Sequence, residues 1–145
     1  MLDINKEIKQ AMLSKDSVKL ASLRAVKSAI IMAQTEKGAN DLDESGMQKI
    51  IQKQVKQRKD AAQIYIDQSR QDLADDELAQ VKILEQYLPK QLDESEIKTV
   101  IEEIISSVGA TSMADMGKVM GLVNQKLAGK ADGKIIAQIV KAKLA

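Results

Sequence analysis

The sequence predicts an all-α protein: an N-terminal helical domain of about four helices, followed by a three-helix tail. Three observations lead there. Every apolar pattern recurs in steps of three and four, and none alternates over the length of a strand. Only one proline and seven glycines interrupt 145 residues rich in Lys, Gln, Ala, Ile and Leu, which favours long helices and few turns. The proline, Pro89, falls between two helical patterns in LPKQLDES, where it stops one helix before the next begins. That stretch separates a domain over residues 1–89 from one over residues 93–145.

Each element has its own start and stop. Asp3 can begin a first helix that runs to about Ser14. Asp16 can cap a second, in which Leu20, Leu23, Val26 and Ile30 share a face until Gly38. After the polar loop GANDLDESG, a third helix from near Ser45 to about Ser69 would bury Met47, Ile50, Ile51, Val55, Ala62 and Tyr65. A fourth, roughly Leu73 to Tyr87, would turn Leu78, Val81, Leu84 and Leu88 inward. Beyond Pro89, Asp93 with Glu96 forms an acidic variant of the capping box ahead of Ile97, Val100, Ile101, Ile104, Ile105 and Val108, and Gly109 ends that helix. Ser112 with Asp115 repeats the device, and Met113, Met116, Met120, Val123 and Leu127 are expected to form one buried seam. Gly129 closes this sixth helix, and Asp132 can cap a seventh that carries Ile135, Ile136, Ile139, Val140 and Leu144.

The composition removes most catalytic kits. Without cysteine or histidine there are no disulfides, thiol nucleophiles or imidazole acid–base groups, and the usual zinc ligands are missing. No cofactor and no metal are expected. DLDESG resembles the opening of a calcium loop at Asp41, Asp43 and Gly46, but Gln52 stands where a bidentate glutamate is required, so it reads as a loop and helix cap. No apolar run is long enough to span a membrane, and MLDINKEIKQ lacks the apolar core of a secretory leader, so a cytoplasmic location is the expectation. The formal charge is +1, yet from Met113 onward six lysines face only Asp115 and Asp132.

The string MGKVMGLVNQKLAGKADGKIIAQIVKAKL, with YLPKQLDESEI and the upstream LRAVKSAI, resembles the YqeY family of small bacterial proteins. These share a helical domain with the tail of the GatB subunit of the glutamine-dependent, tRNA-charging amidotransferase. The likeness to the family covers essentially the whole chain; the likeness to the GatB tail covers about residues 93–145. It implies a tail that touches tRNA away from the chemistry. Nothing here resembles the kinase-like catalytic cradle of GatB, so the ligase activity does not carry over.

Within that tail, GKADGK at residues 129–134 has two readings. Gly129 closes one helix and Asp132 caps the next, as any helix–turn–helix requires, with lysines wetting the surface. Alternatively, backbone N–H groups at Gly133 to Ile135 open toward an oxyanion, flanked by Lys130 and Lys134, with Gln138 and Lys141 on the same helical face as Lys134. The candidate RNA-contacting set is Lys118, Lys126, Lys130, Gly133, Lys134, Gln138 and Lys141. Gly117 and Gly121, continued by Asn124 and Ala128, form a small-residue strip that calls for close approach, with helix packing favoured for at least one glycine. In the N-terminal part, Lys49, Lys53, Lys56 and Lys59 with Arg58 read as a solvated face, and Arg24 and Lys27, beside the Leu20 seam, as pairing with an acid or as a binding contact.

Three functions from different classes follow. A tRNA- or structured-RNA-binding protein suits a chain with lysines and small residues but only two aromatic side chains, because structured RNA is recognised largely through phosphate, 2′-hydroxyl and shape. An accessory of glutamine-dependent amidotransferase chemistry is the second, without independent catalysis, because no activated nucleophile or phosphate cradle is present. A scaffold for a protein partner is the third.

Overall fold

A computed structural model describes residues 2–36 and 42–145. Among them are seven α-helices, one 3-10 turn and no strand: α1 (Ile4–Leu13), α2 (Ser17–Glu36), α3 (Glu44–Asp67), α4 (Gln71–Glu85), α5 (Glu94–Val108), the turn Met113–Asp115, α6 (Met116–Lys126) and α7 (Gly133–Leu144). The expected stop at Gly38, and Asp41 of the DLDESG loop, lie outside the described residues. No helix among those residues is long and apolar enough to cross a membrane. The chain forms two compact units, Met1–Pro89 and Lys90–Ala145.

In the first unit α2, α3 and α4 pack on one another and α1 lies along α2. Their apolar stripes meet in a core of Val26, Ile30, Met47, Ile51, Val55, Val81 and Leu84. Ala11, Ser22, Ala62 and Ala74 are also buried, small side chains that let backbones approach. Among the described residues Ser22 is the buried polar one, and its hydroxyl donates to the Val18 carbonyl at 2.9 Å, so no buried side-chain polar atom of theirs is stranded. Leu78 does not turn inward; it is 38% exposed, and Ala74 takes the buried place on α4.

Two tight reversals close helices in this unit. Asp16 N–H donates to the Ala11 carbonyl and Arg70 N–H to that of Tyr65, a pairing that puts Lys15 and Ser69 in the left-handed region at φ 57° and 59°. Neither position is a glycine. Asp3, Asp16 and Asp43 cap α1, α2 and α3 by accepting from the N–H groups of Lys6, Lys19 and Gly46.

The second unit wraps three shorter helices around Ile97, Ile101, Ile104, Val119, Val123, Leu127, Ala131, Ile136, Ile139, Val140 and Leu144. The Asp93–Glu96 capping box is present and Gly109 closes α5 at φ 66°. The Ser112–Asp115 box opens a 3-10 turn, so α6 begins only at Met116. That delay leaves Met113 out of the expected seam, whose other members face the core, and Val119 joins them. Val119, Val123 and Leu127 are buried, Met116 and Met120 flank them, and Met113 is exposed. Ile135 is likewise outside the core, 41% exposed.

Candidate nucleic-acid interface

The GKADGK turn is held from below by the stretch of chain that enters α5. Gln91 Nε2 donates to the Gly129 carbonyl at 2.6 Å and Leu92 N–H to the Lys130 carbonyl at 2.9 Å. Gly129 adopts φ 75°, where a side chain would be strained, and Ala131 points into the core. The backbone of the turn is therefore structural. Its lysine side chains are not part of that structure: Lys130 and Lys134 are exposed.

The helix mouth above the turn is less open than the sequence suggests. Asp132 Oδ1 accepts from Lys134 N–H at 2.9 Å, and the Asp132 carbonyl accepts from Ile136 N–H. Of the groups expected to face an anion, the Lys134 N–H is thus occupied by the cap, whose carboxylate would itself repel an anion. A Cβ built on Gly133 meets nothing within 4 Å, so the space above that residue is open.

Charge is distributed with a consistent rule in this unit. Each acidic side chain has work within the fold: Asp93 and Glu96 in the capping box, Asp115 and Asp132 in caps, Glu94 beside Lys98 at 3.5 Å, Glu102 beside Lys143 at 2.6 Å, and Glu103 beside Lys126 at 3.9 Å. Lys90 approaches Glu96 at 3.9 Å. The hydrogen bond from Lys143 holds the Glu102 carboxyl below its ordinary value. Lys118, Lys130, Lys134 and Lys141 are left exposed, with no ion pair among the described residues. Of the candidate set, Lys126 is exposed and approaches Glu103 at 3.9 Å, and Gln138 occupies a groove between α5 and α7 with Leu92, Ile97, Ile135, Ile139 and Ala142.

Gly117 and Gly121 correct a further expectation. Neither has a neighbour within 4 Å of an added Cβ, so no helix packs against them and their absent side chains leave the outer face of α6 open. On the first unit, Lys59 pairs with Glu85 at 3.2 Å, and Arg58 is half-buried, donating to Gln80 and Gln54, with its pKa lowered by burial against a smaller raising effect from Glu77. Lys49, Lys53, Arg24 and Lys27 are exposed; the acid pairing expected for Arg24 and Lys27 is not found among the described residues.

One polar cluster gives no local signal in the sequence. The Tyr87 hydroxyl donates to Glu7 at 3.0 Å, and Lys19 reaches the same carboxylate at 3.4 Å. Burial, reinforced by the bond to Glu7, pushes the Tyr87 hydroxyl up; the bond with Tyr87, aided by Glu7, raises Lys19. The partners are eighty residues apart in sequence, so periodicity cannot find them. They fasten α1 and α2 to the chain leaving α4.

A family model described as Yqey-like protein matches residues 2–144. The chain is 28% identical over 123 residues to Altered inheritance of mitochondria protein 41 of Vanderwaltozyma polyspora, covering 80% of this chain and 66% of that protein. It is 30% identical over 145 residues to the protein of the same name in Pyrenophora tritici-repentis, covering 94% and 78%. Against a Glutamyl-tRNA(Gln) amidotransferase subunit of Thermococcus sibiricus it is 42% identical over 57 residues, covering 37% of this chain and 9% of that protein. This likeness is partial and concerns the tail region. The expectation of a cytoplasmic location is corrected by the first two relatives, whose names place them in mitochondria. The N-terminal ten residues spoke only to secretion, which is a different question.

Proposed function

Because the chain belongs to the YqeY-like family, we propose that it binds structured RNA, with tRNA as the first candidate, through the α6–α7 side of its second unit. The observation that carries this reading is the charge rule. Every acid of the unit is engaged in a cap or pair, while Lys118 on α6, Lys130 in the turn, and Lys134 and Lys141 on α7 are exposed with no ion pair among the described residues, and Gly117 and Gly121 leave a face of α6 open. Cations held out on long side chains next to a surface without bulk suit a phosphate backbone that must come close. The tRNA component rests on the partial similarity to an amidotransferase subunit whose name contains that substrate. Catalysis is no part of the proposal.

The test is an affinity series against unfractionated tRNA and a structured non-tRNA at several salt concentrations. Lys130→Ala with Lys134→Ala is expected to weaken binding to both, and the log–log salt slope to shrink by about one unit for each phosphate no longer neutralised. Gly133→Val fills open space without touching the fold, so it lowers affinity with the charge intact if the backbone comes close there. Lys49→Ala with Lys53→Ala on α3 is expected to change little. Loss of binding in the α3 variant, with parent-like binding in the folded tail variants, would move the interface to the first unit.

A protein partner is a second reading, favoured by Met12 and Leu13 at the end of α1, which are 55% and 75% exposed. Met12→Ser with Leu13→Ser then abolishes capture of that partner and leaves RNA affinity at the parent level. The reverse result excludes it.

A further inference from the structure

The groove between α5 and α7 has a volume of about 580 Å³. Its walls are aliphatic: Leu92 and Ile97 on one side, Ile135, Ile139 and Ala142 on the other. Ile135 stands 41% exposed in its wall, an apolar side chain without a core to cover it. Gln138 supplies the amide in this slot and has no hydrogen-bond partner among the described residues. One turn to either side along α7 are Lys134 and Lys141, both exposed and unpaired.

The charges on the rim are already settled. Glu94 is neutralised by Lys98, and Lys143 by Glu102. Lys134 and Lys141 lie outside the groove's own lining, four and three residues from Gln138 on α7, and are the cations next to it that no acid among the described residues pairs. A ligand that fits must place a flat or compact apolar group between aliphatic walls, present a donor and an acceptor to an amide, and carry negative charge about one helical turn away. A nucleotide has all three.

We propose that this groove receives a single unpaired nucleobase of the bound RNA, with Gln138 meeting its polar edge and Lys134 and Lys141 meeting the phosphates on either side. The proposal rests on the RNA reading above and narrows it from backbone contact alone to structured RNA with an everted base. Apolar walls can clasp one extruded base. They do not build the aromatic platform that a run of single-stranded bases requires. An acidic amphipathic peptide is the competing occupant, disfavoured because the cations that line the groove, Lys98 and Lys143, already face Glu94 and Glu102.

The full-length protein, labelled at its isoleucine methyl groups, is titrated with a fully paired RNA hairpin and with the same hairpin carrying one bulged adenosine. The bulged hairpin is expected to bind about tenfold tighter, the scale of roughly 55 Å² of apolar surface withdrawn from water. Ile135 and Ile139 resonances should shift with it, and Ile30 and Ile51 of the first unit should not. Ala142→Leu, an exposed position whose larger side chain fills the slot, should erase the preference and leave affinity for the paired hairpin unchanged. If both hairpins bind alike in a salt-dependent manner and the groove methyls stay still, the groove proposal is overturned and the RNA reading stands. If neither hairpin nor tRNA binds, both fall.

Discussion

The two units solve the same problem, burying aliphatic helices without aromatic side chains, by opposite means. The first uses length: α2 and α3 run 20 and 24 residues, each opened by an aspartate cap, while the reversals after α1 and α3 are made without glycine. Lys15 and Ser69 sit in the left-handed region without being glycine, and α4 begins at Arg70 with no side-chain cap. The second uses termini: α5, α6 and α7 have 15, 11 and 12 residues, and the turns that join them are made with glycine, capping boxes and aspartate. Isolated helices below about 12–15 residues are marginal in water, so short helices depend on their ends in a way that long packed ones do not. A consequence reaches function. Once the acids of the second unit are committed to caps and pairs, its remaining lysines stay available for a ligand.

The sharpest way to break this contrast is to remove core volume from each unit. Leu84 and Ile101 are both fully buried, and truncating either to alanine should cost about 2–5 kcal/mol. The stability available scales with size, on the order of 3–8 kcal/mol for a unit as small as the second and somewhat more for the first. Ile101→Ala should therefore strip amide exchange protection from most of α5–α7. Leu84→Ala should lower protection in α1–α4 without abolishing it. Equal losses in the two units would show that length gives the first no reserve.

Next in size are the turns, where the two units should respond with opposite signs. Lys15→Gly and Ser69→Gly relieve a left-handed residue and are expected to stabilise by about 0.5–1 kcal/mol each. Gly109→Ala meets no neighbour, yet at φ 66° it should cost about 1 kcal/mol. Denaturant midpoints read all three. If the first two destabilise, the side chains of Lys15 and Ser69 make contacts that outweigh their backbone strain.

These turns also show what was legible in advance. Helix existence, Asp93–Glu96, Gly109 and the Asp132 cap are local signals, written within four residues, and the all-α class follows from them. Helical phase is less local. The 3-10 turn at Met113–Asp115 delays α6 and leaves Met113 exposed, while Val119 joins the expected Val123 and Leu127 in the core, and Ala74, not Leu78, takes the buried place on α4. The lysines were visible one by one, but which of them stay unpaired depends on Glu102 and Glu103, distant in sequence from Lys143 and Lys126. The groove around Gln138 needs α5 and α7 side by side, and the openness of Gly117 and Gly121 depends on what does not pack there.

The smallest effects come from titration, and here too the units part. In the first, Lys19 is raised above its ordinary 10.5 by the hydrogen bond with Tyr87 and by Glu7, and Tyr87 is raised above 10.0 by burial and its bond to Glu7. Both groups hold their protons longer in the folded protein than in the unfolded chain. Their contribution is complete below the unfolded values and fades as pH rises through 10 and beyond. In the second unit Glu102 is lowered from 4.5 by Lys143, so its contribution is complete above that value and fades as pH falls through the folded pKa. The first unit should weaken at alkaline pH and the second at acid pH. Tyr65→Phe leaves Tyr87 as the remaining phenol, and its ultraviolet titration should have a midpoint above 10.0. Tyr87→Phe should flatten the alkaline loss of stability and leave the acid side alone, whereas Lys143→Ala should do the converse. A Tyr87 midpoint at or below its ordinary value would mean that the Glu7–Lys19–Tyr87 fastening does not form in solution, and α1 would then be held by its apolar packing along α2 alone.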